Sequence, residues 1–271
     1  MAKSLAIVLC DGGMKSAVAA CLAAQRHRIV TVTLDGSTGL DPSAWSDPAG
    51  GGVAAGAVSG GPPAATARAT AGGVGSRRRA AVELLSAHLK PHREHILPMA
   101  SLNVLRRSVT SAAGDWGGAA GVEGRSPAAL AGKLTELLPA VAIAARFAAH
   151  HGAVAIYAGL RVGTEAQVLA RATEYQQIWN ELLQYPCGLT GSGDAPAGAA
   201  APPPVELVLP LLELELWQVV DLGVQVGCPF ERTWSCWQDT AEPCGACPGC
   251  RRREAAFDQA ARADPLRKRV G

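Results

Sequence analysis

Residues 5–16, Leu-Ala-Ile-Val-Leu-Cys-Asp-Gly-Gly-Met-Lys-Ser, decide how the rest of the chain is read. Leu5 to Cys10 is an apolar run of strand length that stops at Asp11-Gly12-Gly13, and Ser16 to Gln25 is rich in alanine and other good helix formers. Together they predict a strand, a glycine turn and a helix, and such a turn offers backbone N–H groups to an anion at the helix N-terminus. Working outward, the β-branched run Ile29 to Leu34 predicts a second buried strand. Arg77 to Leu89, with Val82, Leu85 and Leu89 spaced by three and four, predicts a helix. Pro127 to His151 reads as a long helical region interrupted at Pro139, followed by a strand at Val154 to Ala158. A helix at Glu174 to Gln184, a strand at Val205 to Leu211 and a helix at Glu213 to Val226 complete the pattern. Alternation of this kind predicts an α/β fold, a doubly wound parallel sheet with helices on both faces. In such sheets ligands sit beyond the carboxyl ends of the strands, here Asp11 to Ser16 and Gly159 onward.

The chain is read as a single domain over residues 1–271, with two low-complexity interruptions. Residues 36–75 are mostly Gly, Ala, Ser, Pro and Thr, with too few large apolar side chains to offset ordering entropy, and read as a disordered insertion. Residues 188–204 end in a proline run and read as a linker. A formal net charge of only +2 gives no footprint for a phosphate backbone, so a nucleic-acid partner is not expected. No apolar run reaches membrane-spanning length and no leader pattern precedes Leu5, so the expectation is a cytoplasmic protein without a membrane partner.

Of eight cysteines, Cys236, Cys244, Cys247 and Cys250 crowd into fifteen residues, interleaved with Pro243, Gly245, Pro248 and Gly249. Four thiolates on such turns can converge on one centre, as tetrahedral zinc requires, and a closed four-cysteine site leaves no position for an activated water. One structural Zn2+ per chain is the expectation, in a loop spanning 228–253, with an iron–sulfur cluster or disulfides as the competing uses of the same ligands. Cys10 and Cys21 lie on apolar elements and read as small buried hydrophobes, while Cys228 is an accidental fifth thiol.

The stretch Glu231 to Arg253, ERTWSCWQDTAEPCGACPGCRRR, with Pro210-Leu211 before it, resembles the C-terminal signature of the 7-cyano-7-deazaguanine synthase family of queuosine biosynthesis. The shared elements are Thr-Trp-Ser-Cys and then Cys-Gly-x-Cys-x-x-Cys-x-x-Arg. The resemblance implies a Rossmann-like sheet of the adenine nucleotide alpha hydrolase type, a C-terminal zinc-binding loop and a homodimer. It also implies an ATP-dependent carbon–nitrogen ligase acting with Mg2+, which adenylates the carboxylate of 7-carboxy-7-deazaguanine and uses ammonia to reach the nitrile. The family's pyrophosphate loop, Ser-Gly-Gly-x-Asp-Ser, falls on Asp11, Gly12, Gly13, Met14, Lys15 and Ser16, with Ser replaced by Asp11 and Asp by Lys15. Lys15 can offset Asp11 by pairing with it or by reaching a phosphate itself. The family's Pro-Gly-Arg-Asn falls on Leu134-Thr135-Glu136-Leu137, its pocket-forming segment on Thr164 to Tyr175, and its Thr-Lys on Glu215-Leu216. Scaffold residues are kept and charged site residues replaced, which sets two readings side by side: a synthase-type enzyme with a charge-swapped loop, or a zinc-stabilised pseudoenzyme holding an altered ligand or a protein partner.

Elsewhere, His88, His92 and His95 have a metal-compatible spacing, read instead as a helix C-terminus. His150-His151 reads as another helix end, and Arg251 to Arg253 as a solvated basic face. Arg161 is a ligand contact or an exposed loop residue, and Glu165 and Glu174 are surface carboxylates or acid–base groups.

Overall fold

The computed structural model describes residues 3–35, 75–99, 127–184 and 204–267. The elements, in chain order, are β1 (Leu5–Leu9), α1 (Met14–Arg26), β2 (Arg28–Asp35), α2 (Gly75–Leu89), β3 (Arg93–Pro98) and α3 (Pro127–His151). After them come β4 (Ala155–Tyr157), α4 (Ala166–Gln184), β5 (Glu206–Val208), α5 (Leu216–Gln225), a 3-10 turn (Phe230–Arg232) and α6 (Pro248–Gln259). The proposed insertion at 36–75 and linker at 188–204 fall, but for Gly75 and Pro204, outside the described residues, as does Cys187.

All five strands pair in parallel, in the order β3-β2-β1-β4-β5. Side chains alternate across such a sheet, and β1 shows it directly. Ile7 joins Val30, Val32, Ile156 and Leu207 under Val141, Ala144, Ala145 and Ala148 of α3 and Val168, Ala172 and Trp179 of α4. Ala6 and Val8 face the other way, against Ala20 and Ala23 of α1. Next to that second layer, a further cluster packs α1, α2, α5 and α6 together through Val18, Leu85, Val219, Phe230 and Phe257. Among the described residues no helix is long and apolar enough to cross a membrane.

Several expectations are corrected. α3 runs through Pro139 without a break. Val141, Ala144, Ala145 and Ala148 fall at helical spacing and are buried, and that continuous apolar seam outweighs the roughly 3 kcal/mol cost of an interior proline. The edge strand β3 was not anticipated. Lys90, with φ of 50°, ends α2 in the left-handed region, and the chain then turns through His92 into a strand, so His88, His92 and His95 share no helical face. α4 begins at Ala166 and not near Glu174, with Glu165 accepting the Val168 N–H at 2.8 Å as a local cap.

Because strand order reverses direction between β1 and β4, a crevice opens at their carboxyl ends. The Asp11 to Ser16 turn and the segment after β4 meet there. A Cβ on Gly159 would lie 2.8 Å from the Lys15 carbonyl carbon and from the Ser16 nitrogen, so the close approach of these two loops requires glycine.

The rim of β3 carries a histidine pair, His95 Nε2 to His151 Nε2 at 2.9 Å, beside the Phe147 ring. One imidazole must donate and the other accept, so the accepting ring is neutral. Burial, then the neighbouring His150 charge, hold both below the usual histidine value. A lowered folded-state pKa gives stability that is present above about pH 6.5 and is lost as pH falls through the lowered values. The urea midpoint is therefore expected to drop between pH 7.5 and 5.5, and His95→Phe to shrink that drop. In the second layer, a Cβ on Gly223 would meet the Phe230 ring and lie 2.8 Å from Val18 Cγ2. Gly223→Ala is expected to cost about 1–3 kcal/mol by urea unfolding.

Candidate metal centre and glycine loop

Cys236 arrives after the Thr233-Trp234-Ser235 segment, and Cys244-Gly245-Ala246-Cys247 forms a tight knuckle with Gly245 at φ of 69°. Cys247 is the N-cap of α6, Pro248 opens that helix, and Cys250 lies in its first turn. The four sulfurs lie within 4.8 Å of one another. Cys236 and Cys247 Sγ are 3.9 Å apart, and Cys244 and Cys250 Sγ are 4.0 Å apart. A tetrahedral ion with metal–sulfur bonds of about 2.3 Å sets its ligands about 3.8 Å apart, so the cluster can hold one metal ion. A four-iron cluster puts a many-atom core between the sulfurs and needs a wider cage. The four cysteines are free of disulfides.

Backbone N–H groups are aimed at these sulfurs. Cys250 N–H donates to Cys247 Sγ and Cys247 N–H to Cys244 Sγ, each at 3.4 Å, while Gln238 and Cys244 N–H donate to Cys236 Sγ at 3.3 and 3.4 Å. Such donors stabilise thiolates, the form that ligates. The Cys247 and Ala246 N–H groups bring the exposed Cys244 thiol down to about 6. Burial pushes Cys236 and Cys250 upward, the cost that a bound cation would offset.

Arg253, three residues beyond Cys250, ties this loop to the core. Its side chain is 5% exposed and makes a bidentate pair with Asp264 at 2.8 and 2.9 Å. It also donates to Thr233 Oγ1 at 2.6 Å and to the Phe230 carbonyl at 3.0 Å. The expected solvated basic face is corrected here. Arg251 alone of the three is exposed, and Arg252 lies 5.5 Å over the Trp237 ring and donates to the Pro248 carbonyl.

With Thr233 so held, Trp234 N–H donates to the Gly12 carbonyl at 2.8 Å, joining the cysteine loop to the glycine turn. From the same loop, Asp239 accepts the Arg77 N–H at 2.9 Å, in the first turn of α2. Gly12, at φ of 77°, has room for no side chain, since a Cβ would sit 2.5 Å from the Arg78 carbonyl.

Inside the turn the anion position is taken by the chain itself. Asp11 Oδ1 accepts the Gly13 N–H at 2.9 Å and the Ser16 hydroxyl at 2.5 Å, and Oδ2 pairs with Arg78 Nη1 at 3.2 Å. Desolvation opposes the charge, but Arg78, the Ser16 hydroxyl and the Gly13 N–H outweigh it and bring Asp11 down to about 2. Lys15 adds to that field, but the ion pair is made by Arg78, which sequence reasoning did not single out. Met14 is buried in the second layer. Beyond β4, Arg161 is buried, donating to the Leu214 carbonyl at 3.1 Å and pairing with Glu215 at 3.5 Å, which excludes the exposed-loop reading. Glu215 also accepts from Thr164 at 3.2 Å. Glu174 is exposed, and the side chains of Thr135 and Glu136 fall outside the described residues.

Residues 138–261, which take in the sheet from β4 onward and the whole cysteine loop, match the family model of the queuosine biosynthesis protein QueC. Over these residues the chain is similar to that family. Among curated proteins, it is similar to the 7-cyano-7-deazaguanine synthase of Thermosynechococcus vestitus, at 44% identity over 63 residues, 23% of this chain and 27% of that one. The Aliarcobacter butzleri protein of the same name is 30% identical over 127 residues, 47% of this chain and 50% of its own length. The Chloroherpeton thalassium protein is 30% identical over 94 residues, 35% and 36% of the two chains. The chain thus spans between about a quarter and a half of these relatives' length.

Removing one member of a buried, hydrogen-bonded ion pair strands the other, at a cost of about 3–5 kcal/mol. Arg253→Ala is expected to lose that much by chemical denaturation, and Arg253→Met with Asp264→Leu to recover a large part of it.

Proposed function

We propose that this chain is a 7-cyano-7-deazaguanine synthase-like protein whose scaffold is clamped by one structural zinc and whose nucleotide loop is held shut by Asp11. The observation that carries the reading is the Trp234 N–H to Gly12 carbonyl bond, which couples the four-cysteine loop to the turn after β1. The family reaction is the ATP-dependent conversion of 7-carboxy-7-deazaguanine and ammonia to 7-cyano-7-deazaguanine, with AMP and pyrophosphate released. ATP with Mg2+ would supply the activated carboxylate. The chain's own part would be to present the Gly13 N–H, the Ser16 hydroxyl and Arg78 to a phosphate once Asp11 has left them. Zinc fits the site better than a catalytic metal, because four cysteines leave no open position.

A second reading, a non-catalytic family member, is favoured by one observation. Arg78 and Arg161, which meet the two loops at the sheet's carboxyl edge, are both paired with carboxylates of the chain, Asp11 and Glu215. A phosphate would have to displace these pairs.

Two measurements separate the readings. Metal analysis is expected to find about one zinc per chain, and chelation to unfold the region after Phe230 while an iron content would overturn the assignment. The zinc-loaded protein is then given ATP, magnesium, 7-carboxy-7-deazaguanine and ammonia. Nitrile with AMP establishes turnover. No AMP from the wild type, with ATP affinity raised at least tenfold in Asp11→Ser/Lys15→Asp, establishes the closed loop, and lowered affinity in that variant makes the swapped charges the working arrangement.

A further inference from the structure

Cys21 and Cys228 come from distant parts of the sequence and meet in the core. Cys21 lies on α1 and Cys228 in the turn between α5 and the 3-10 turn, and both belong to the apolar cluster formed with Val18, Leu85, Val220, Phe230 and Phe257. Val18 and Cys21, three apart, share a face of α1. That face lies against the end of α5, where Val18 Cγ2 comes within 2.8 Å of the place a Gly223 Cβ would take. Cys228 is anchored at the same spot by its N–H, which donates to the Gly223 carbonyl at 2.8 Å. Within that cluster the two thiols are near enough for each to shift the other's proton affinity. Neither belongs to the metal centre or to the glycine loop, and both are free.

We propose that Cys21 and Cys228 form a reversible redox couple, closing to a disulfide that staples α1 to the segment leading into Thr233 and Trp234. The site stands apart from the proposed function, because it needs neither nucleotide nor metal. The oxidant is a low-molecular-weight disulfide such as oxidised glutathione. The Cys21 thiolate attacks one of its sulfurs, a Cys21–glutathione sulfur–sulfur bond forms, and one glutathione thiol leaves. The Cys228 thiolate then attacks the Cys21 sulfur, giving the Cys21–Cys228 bond and releasing the second glutathione thiol. Two thiol protons and two electrons are lost by the protein, and one disulfide is reduced to two thiols.

The order of attack follows from the surroundings. The neighbouring Cys228 thiol favours the Cys21 thiolate and draws its pKa down, whereas the Cys21 thiol, burial and the Cys21 charge push Cys228 upward. Arg253 is the charge that offsets the rise at Cys228. Cys21 and Cys228 are 5% and 8% exposed, so a small opening is required. It has a ready place, because Gly227, next to Cys228, is exposed, sits at φ of 70° and has nothing within 4 Å of its Cβ position. The consequence of closure is mechanical. Gly12 and Gly13 lead into α1, and Trp234 donates to the Gly12 carbonyl, so the bond would tie both sides of that contact together behind the loop.

The test uses the zinc-loaded full-length protein, so that the four clustered cysteines are protected by the metal. It is incubated with oxidised glutathione, quenched with acid, alkylated under denaturing conditions and digested without reduction. A peptide linking Cys21 to Cys228 is expected, with titratable thiols falling by two per chain from the eight in the sequence. Dithiothreitol should restore all eight. Cys21→Ser is expected to abolish the loss of the pair, and Cys228→Ser to leave a glutathione adduct trapped on Cys21. The proposal is overturned if no linked peptide forms while both thiols remain alkylatable. It is overturned equally if Cys228 is recovered bonded to a cysteine of the metal loop, or if Cys21→Ala and wild type lose the same number of thiols.

Discussion

Gly12 makes one hydrogen bond on which the arrangement of both candidate sites depends. Its carbonyl receives the Trp234 N–H at 2.8 Å, and its missing Cβ admits the Arg78 carbonyl of α2. Three separate pieces of chain, the turn after β1, the start of α2 and the segment before Cys236, are thereby held at one point. Positive φ makes that position accessible to glycine at no steric cost, and any side chain would have to displace backbone, not a flexible side-chain end. The buried Arg253–Asp264 pair works toward the same end from the other side, since Arg253 bonds Thr233 immediately before Trp234. A chain that kept its cysteines but lost this contact could still bind metal, yet its metal loop would no longer be set against the sheet.

The electrostatics of the crevice follow from how its described charges are paired. At the carboxyl edge of a parallel sheet, backbone N–H groups at a helix N-terminus attract an anion, and Asp11 is the nearest one available. Its hold is stronger than a surface ion pair, because the Gly13 N–H and the Ser16 hydroxyl converge on one oxygen while Arg78 neutralises the other. The half-exposed position of Asp11 keeps water available, so the contact can exchange with an external anion without stranding a buried charge. Glu215 and Arg161 repeat the arrangement across the crevice, but there the arginine is buried, and removing its carboxylate would leave a desolvated cation. The two pairs are therefore not equivalent, and the Asp11 side is the one a ligand could open.

Much of the fold was legible in the sequence for a specific reason: β1, β2 and β4 are short apolar runs buried on both faces, and their signal survives without neighbours. The cysteine cluster was legible because its spacing fixes its own turns. β3 was not, since an edge strand carrying Arg93, Glu94 and His95 has neither alternation nor a continuous apolar run. Pro139 misled because local propensity cannot register the seam of Val141, Ala144, Ala145 and Ala148 that holds α3 together across it.

The charged residues of the site were harder to read than the apolar ones, and the reason is geometric. Arg77, Arg78 and Arg79 look like one basic run, but successive residues of a helix point about 100° apart and meet different partners. Arg77 lies 6.0 Å over the Trp234 ring, Arg78 pairs with Asp11, and Arg79 pairs with the buried Asp35 at the end of β2. The Arg251 to Arg253 run divides in the same way, into a solvent-facing, an aromatic-stacked and a buried member. For Arg253 a signal did exist, since it closes the Cys-x-x-Arg end of the motif, and an arginine at fixed spacing from a clustered cysteine is placed by that cysteine's helix. Charge runs near a metal loop are thus better read one residue at a time, by the helical angle each inherits from the last cysteine, than as a face of uniform character.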